Sequence, residues 1–208
     1  MPASSAVPPT YVDGTRVWVD SRVRAWVQRR GEAVILRRLG GDVPGGTALE
    51  LGTGRRATGL RLALDVFGAA RAEGIDRYPD SVAACRRAIR DLGDRVDVRE
   101  GDATNLAAAG ESYDAVFGYH VLHHAENWRA VVREAARVLR PGGRFYSCEM
   151  TARFVDSRLL RAVAFHPADA DRPTPATLAD ACRDAGLTVL AQETRLAGCW
   201  TGLVALRP

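Results

Sequence analysis

The sequence predicts an α/β fold: a Rossmann-like, doubly wound sheet of five parallel strands closed by a C-terminal antiparallel hairpin. Three observations predict it. Short apolar runs at 47–51, 70–75, 96–99, 113–119 and 144–150 alternate with stretches of helical period, which requires crossovers and a parallel sheet. A glycine-rich turn joins the first run to a helix. The last two runs, 187–194 and 199–206, are separated by residues 195–198 alone, too few for a crossover helix, so they pair as a hairpin.

Each element has its own local reason. Asp20 or Ser21 caps a helix running to about Leu39, with Val23, Val27 and Val34 read as its inner face. Gly40, Gly41, Pro44, Gly45 and Gly46 break it. The first strand ends at Glu50, and a helix follows through Leu60, Leu62 and Leu64. The second strand ends at Asp76. Pro79-Asp80 opens the next helix, whose inner side is Val82, Cys85, Ile89 and Leu92, and Gly93 stops it. The fourth strand, 113–119, is apolar enough to be central. Asn127 starts a helix that turns Val131, Ala135 and Val138 inward. Arg140-Pro141-Gly142-Gly143 bends the chain into the fifth strand. Thr174 caps the last helix, Pro175 takes its first position and Gly186 closes it.

Composition bounds the function. The 208 residues are 47% apolar and 26% charged, as in a globular domain. Residues 1–12 are expected to be a disordered tail and 13–208 one domain with an N-terminal helical lid. Residues 1–10 hold three prolines and no charge, which is not the pattern of a secretory signal. No apolar run approaches the ~18 residues of a membrane span. Cys85, Cys148, Cys182 and Cys199 are scattered, which fits neither a zinc knuckle nor a disulfide framework and points to a reducing, cytoplasmic setting. All 29 basic residues are arginine and the net charge is +4. Residues 16–38 carry seven arginines against Asp20 and Glu32. A solvated helix face accounts for this; a positive lid over an anionic acceptor or a nucleic acid is the sharper reading.

The first turn reads Glu50-Leu51-Gly52-Thr53-Gly54-Arg55-Arg56-Ala57. Glycines there let the backbone bend tightly and approach a ligand, and the helix N-terminus beyond favours a negative group. Asp76, about 20 residues on, suits a carboxylate that accepts both ribose hydroxyls. The same turn matches a dinucleotide fingerprint, but a hairpin stands where a second mononucleotide-binding half would follow. Gly101-Asp102-Ala103, after the third strand, offers a carboxylate for an adenine amino group; a turn residue is the plainer reading of Asp102.

Together with Gly74-Ile75-Asp76, Tyr113-Asp114-Ala115-Val116-Phe117, Val121-Leu122-His123-His124 and Val138-Leu139-Arg140-Pro141-Gly142-Gly143, these segments resemble the class I S-adenosylmethionine-dependent methyltransferases. Within them the likeness is to the broad group related to the ubiquinone and menaquinone enzymes (type 11 methyltransferase domain). The resemblance runs from Thr47 to Met150 and less sharply through Phe165-His166-Pro167. It implies S-adenosyl-L-methionine as cofactor and a small-molecule methyl acceptor, with no membrane partner and nucleic acid disfavoured. It also implies roles: Glu50, Gly52 and Gly54 at the methionine end, Asp76 on the ribose, Arg77 or Tyr78 beside the adenine, Asp102 and Ala103 on its edge, Tyr119 and His120 near the sulfonium. Arg56 departs from the family, which often has a third glycine there; its side chain would crowd the methionine portion or pair with its carboxylate.

A sulfonium is an activated methyl donor, so the protein must align the acceptor and exclude water. A base is needed only where the acceptor loses a proton, as in O- or C-methylation. His120 and His166 are the candidate catalytic residues. His123 and His124 read as packing or capping residues, and a metal face on His120, His123 and His124 lacks a fourth ligand. Glu149 either orients an acceptor or caps a strand end. Trp18 and Trp26 read as helix packing, with an apolar lid as the sharper alternative. No Asn- or Asp-Pro-Pro-aromatic motif follows the fourth strand. An RNA methyltransferase, a nonenzymatic cofactor-binding relative and a dinucleotide oxidoreductase remain as competing readings.

Overall fold

The architecture comes from a computed structural model that describes residues 21–157 and 171–208. The expected tail 1–12, Trp18 and His166 lie outside the described residues.

The strands are β1 (Thr47–Leu51), β2 (Arg71–Asp76), β3 (Val96–Glu100), β4 (Tyr113–Tyr119), β5 (Leu139–Met150), β6 (Thr188–Arg195) and β7 (Trp200–Leu206). They form one sheet in the order β3-β2-β1-β4-β5-β7-β6. β1 to β5 are parallel. β7 runs antiparallel to both β5 and β6, so the hairpin inserts its second strand inward and leaves β6 at the edge. The sequences explain this choice. Trp200–Leu206 is almost continuously apolar and buried, which suits a strand covered on both faces. Thr188–Arg195 alternates between exposed and half-buried residues and ends in charge, as an edge strand should.

Helices α3 (Thr58–Asp65), α4 (Pro79–Ala88), α5 (Trp128–Val138), α6 (Ala152–Val155) and α7 (Pro175–Asp184) connect or follow the strands. Two N-caps are those the sequence signals, whereas α4 ends at Ala88, short of the Gly93 expected to stop it. Asn127 accepts from the N–H of Ala130 at 3.2 Å, and Thr174 and Thr177 form a reciprocal capping box before α7. One face of the sheet buries Leu36, Leu60, Phe67, Val82, Cys85, Phe117 and Tyr146. The other buries Leu49, Val116, Trp128, Val131, Val138, Phe145 and Leu178. Each such large side chain contributes ~1.5–3 kcal/mol on leaving water.

The N-terminal helix departs from its sequence reading. α1 (Arg22–Val27), capped by Ser21, passes through a π turn (Gln28–Glu32) into α2 (Ala33–Gly40). Val23 and Val34, expected inside, are 58% and 52% exposed, and Trp26 is 64% exposed. Gln28, Glu32, Ala33 and Leu36 are buried instead. The π turn rotates the covered face, and the first half of the helix lies over a polar sheet edge, so the side it hides is polar. The helix end is fixed by the Tyr146 hydroxyl, which donates to the carbonyls of Gly40 and Gly41, both at 3.1 Å.

Strand order reverses between β1 and β4, so their C-terminal ends diverge and open a crevice at this switch point. Glu50 and Gly52 stand on one side of it, Tyr119 and His120 on the other.

Candidate functional site

The bend after β1 is built from backbone hydrogen bonds. The N–H groups of Gly52 and Thr53 donate to the Ile75 carbonyl at 2.9 and 3.0 Å, pinning the turn to the end of β2. Gly52 has φ +68, and a Cβ there would meet Val121 Cγ2 at 2.8 Å, so only glycine satisfies both the angle and the approach. Asp76, 8% exposed, latches the bend: Oδ2 accepts from the Gly54 N–H at 2.9 Å and Oδ1 from the Tyr78 N–H at 3.0 Å. A carboxylate oxygen accepts two hydrogen bonds, which leaves Asp76 capacity for hydroxyl donors.

Glu50 is buried beneath the same turn and accepts from the N–H groups of Leu60 and Gly59. The helix N-terminus expected to face an external anion is therefore filled by a carboxyl of the chain itself. Burial pushes Glu50 well above the usual carboxylate range against the Leu60 N–H, the nearby Asp76 charge adds to the rise, and the Gly59 N–H opposes it. Its Oε2 is buried without a hydrogen-bond partner. Arg56 is exposed, while Ala57 is buried in the left-handed region at φ +55.

The third strand brings the other carboxylate to the same edge. Asp76 pairs in register with Glu100, and the Gly101 N–H donates to the Asp76 carbonyl at 3.1 Å. Asp102 is exposed, and its Oδ1 accepts from both the N–H and the hydroxyl of Thr104 at 2.8 Å. The Thr104 N–H lowers its pKa most, against a small cost of burial, and the Arg77 charge adds to the fall. Arg77 lies 5.6 Å over the Tyr78 ring, and Ala103 is half-buried against the core. The carboxylates of 76 and 102 thus rise from neighbouring strands at one edge, beside the glycine bend.

Across the crevice, Tyr119 is stacked on Phe117 with ring centroids 6.1 Å apart. Its hydroxyl is buried without a hydrogen-bond partner, and burial raises its pKa far above the ordinary value, helped by Cys148, Glu50 and Glu32. His120 occupies the left-handed region at φ +56, a conformation that costs a non-glycine residue ~1–2 kcal/mol and is found where surrounding contacts impose it. Its N–H donates to the Cys148 carbonyl at 2.8 Å. Its Nε2 lies 2.9 Å from Glu32 Oε1, and Glu32 Oε2 accepts from Arg24 at 2.9 Å. Burial works against the Glu32 charge, but His120 and Arg24 outweigh it and bring its pKa down to about 2.

His123 and His124 are held by neighbouring side chains. His123 Nδ1 lies 2.7 Å from Glu149 Oε2, while Glu149 Oε1 accepts from the N–H groups of Val121 and Leu122 at 3.0 and 2.9 Å. Glu149 is fully buried and clamps the loop after β4; burial brings its pKa up to about 7. His124 packs on His123, ring centroids 4.1 Å apart. The metal-capable donors that converge among the described residues are instead Glu32, His120 and Cys148, within 4.8 Å of one another. Both Glu32 oxygens there are already paired with Arg24 and His120.

Arg24 and Glu32 are the site residues that sequence reasoning missed. Their signal was faint: Arg24, Gln28 and Glu32 recur at helical spacing, a polar stripe on a helix whose valines suggested the opposite face. Among the described residues no helix is long and apolar enough to cross a membrane.

Known proteins similar to this chain include methyltransferases. The family model described as a methyltransferase domain matches residues 49–147. A fatty-acid O-methyltransferase from Mycolicibacterium smegmatis is 32% identical over 126 residues, covering 61% of this chain and 45% of that protein. A ubiquinone/menaquinone biosynthesis C-methyltransferase from Nitrobacter hamburgensis is 33% identical over 138 residues, 65% of this chain and 50% of that protein. The chain therefore spans half or less of these relatives' own length. A SAM-dependent methyltransferase from Aquifex aeolicus superposes with a TM-score of 0.71 at 16% identity, over 95% of this chain and 100% of that one, a likeness of fold.

Proposed function

We propose that the chain, whose residues 49–147 match a methyltransferase domain, transfers the methyl group of S-adenosyl-L-methionine to a small molecule by O- or C-methylation. One observation carries the reading: a glycine bend and two carboxylates meet at the crevice edge where β1 and β4 diverge. In this reading Gly52, Gly54 and Glu50 receive the methionine end, Asp76 accepts the ribose hydroxyls, Arg77 or Tyr78 flanks the adenine, and Asp102 with Ala103 reads its edge. Tyr119 and His120 border the sulfonium. The residues suit the group chemically. The buried, unpartnered Glu50 Oε2 and Tyr119 hydroxyl are polar groups that a charged amino-acid end would satisfy.

When bound, the sulfonium supplies an activated methyl. The chain's residues hold the acceptor in line, keep water out and, for an acceptor that loses a proton, take that proton at His120. His166 is a second candidate base. The names of the relatives, which act on a fatty acid and in quinone biosynthesis, favour a small acceptor with a carboxyl, hydroxyl or activated carbon. The test is calorimetric titration with S-adenosylhomocysteine, followed by transfer of labelled methyl to a panel of fatty acids, phenols and quinone precursors. Binding and labelling of a panel member are expected. No binding, or binding of NADH in its place, would overturn the reading.

A further inference from the structure

We infer that Glu32 is a positioning residue for His120: from the π turn of the N-terminal helix it holds the imidazole with its proton on Nε2, so that Nδ1 is the basic atom offered to the acceptor. This rests on the reading of His120 as the acceptor-facing base. Four observations support it. Glu32 Oε1 lies 2.9 Å from His120 Nε2. The other carboxylate oxygen accepts from Arg24 at 2.9 Å, so the group is fixed from both sides. The side chains of Arg24, Glu32 and His120 are 12%, 8% and 14% exposed, so the pair acts in a setting of weak screening, open enough for a proton to leave to water. The backbone of His120 sits at φ +56 with its N–H bonded to the Cys148 carbonyl, which anchors the residue at the end of β4.

The tautomer follows from the charges. An ionised carboxylate only accepts hydrogen bonds, and Arg24 and His120 keep Glu32 ionised. Nε2 must then be the donor. The other groups facing the ring do not compete for that proton. Cys148 Sγ is 3.5 Å from Nε2, but burial holds the thiol well above its usual range, as a neutral S–H. Tyr119, on β4, is a neutral phenol. Glu149, from β5, is engaged by the loop backbone and by His123, whose ring centroid is 6.3 Å from that of His120. In the reaction, the acceptor's X–H bond breaks and its proton goes to Nδ1. The X–CH3 bond forms as the S–CH3 bond of the donor breaks, and that electron pair stays on sulfur, leaving a neutral thioether. The imidazolium so formed faces the Glu32 carboxylate. The acceptor class this implies is one with a dissociable proton, a phenol or an acidic C–H.

The experiment reads the imidazole directly and needs no acceptor. Long-range proton–nitrogen correlation spectra of labelled protein give the tautomer of each histidine, with His120→Asn assigning the signal. The wild type should show His120 protonated on Nε2. Glu32→Gln has one acceptor oxygen left for two donors; the guanidinium of Arg24 keeps it, so the amide NH2 faces Nε2 and the His120 proton should move to Nδ1. Glu32→Ala should give a mixture of tautomers. A wild-type Nδ1–H tautomer, or an Nε2–H tautomer unchanged in Glu32→Gln, would overturn the proposal. Failure of wild-type protein to bind S-adenosylhomocysteine would instead strike the methyltransferase reading, leaving the tautomer result to stand by itself.

Discussion

Gly59→Ala is the substitution for which the helix and the site make opposite forecasts. Gly59 lies in the first turn of α3, where alanine would ordinarily add at most ~1 kcal/mol of helix stability. Yet a Cβ built there stands 1.9 Å from Glu50 Oε1 and 2.4 Å from its Cδ. The carboxyl must move, and it has nowhere to go: Glu50 is 4% exposed and sits near the Asp76 charge. Moving it breaks two bonds to backbone N–H groups, at ~1 kcal/mol each, and overpacking costs a further ~1–3 kcal/mol. The expected balance is a loss of about 3 kcal/mol, which lowers Tm by about 6–12 °C in a chain of this size. Scanning calorimetry of the two proteins measures it, with S-adenosylhomocysteine affinity expected to fall in parallel. If the alanine variant melts at or above the wild-type temperature, Glu50 does not hold the helix and the geometry of the first turn is misread.

Three further outcomes are expected. Asp76→Ala should weaken S-adenosylhomocysteine binding at least about tenfold, ~1.4 kcal/mol, in calorimetric titration; unchanged affinity would remove Asp76 from the ribose. Glu32 has a folded pKa of about 2 against an ordinary 4.5, so its contribution is complete above the ordinary value and is lost as pH falls toward 2. The difference corresponds to about 3 kcal/mol, of which about 2 kcal/mol is gone by about pH 3; urea unfolding near neutrality and at about pH 3 should show that loss in the wild type and a smaller one in Glu32→Gln, and equal losses would contradict it. Trp26→Ser on the exposed helix face should leave stability within ~0.5 kcal/mol; a large drop in the urea midpoint would mean that this face is covered after all.

The fold was legible because the strands and two of the helix caps carried local signals. The four residues 195–198 alone required a hairpin, and Asn127 and Thr174 announced their helices. Which hairpin strand turns inward was not written locally; it follows from Trp200–Leu206 needing cover on both faces. The site was legible on the side built from chain-adjacent motifs, where Gly52, Asp76 and Asp102 mark strand ends. It was not legible at Glu32, because that residue meets His120 only through packing of a helix over the sheet edge, and a π turn breaks the regular period on which face assignments depend. Glu50 was recognised by position, but its bond to the next helix depends on the missing side chain of Gly59 and could be seen only in three dimensions.

The inward placement of β7 has a consequence for how the molecule comes into being. While the chain is being synthesised, β5 presents an open row of peptide groups that no earlier segment can satisfy, since its outer neighbour is made some fifty residues later. Such an edge is a template for wrong partners until residues 200–206 emerge and slot between two strands already laid down. Shortening the chain there would therefore do more than trim an end: it would split the sheet, strand β6 apart from the rest and leave the whole flank open to aggregation.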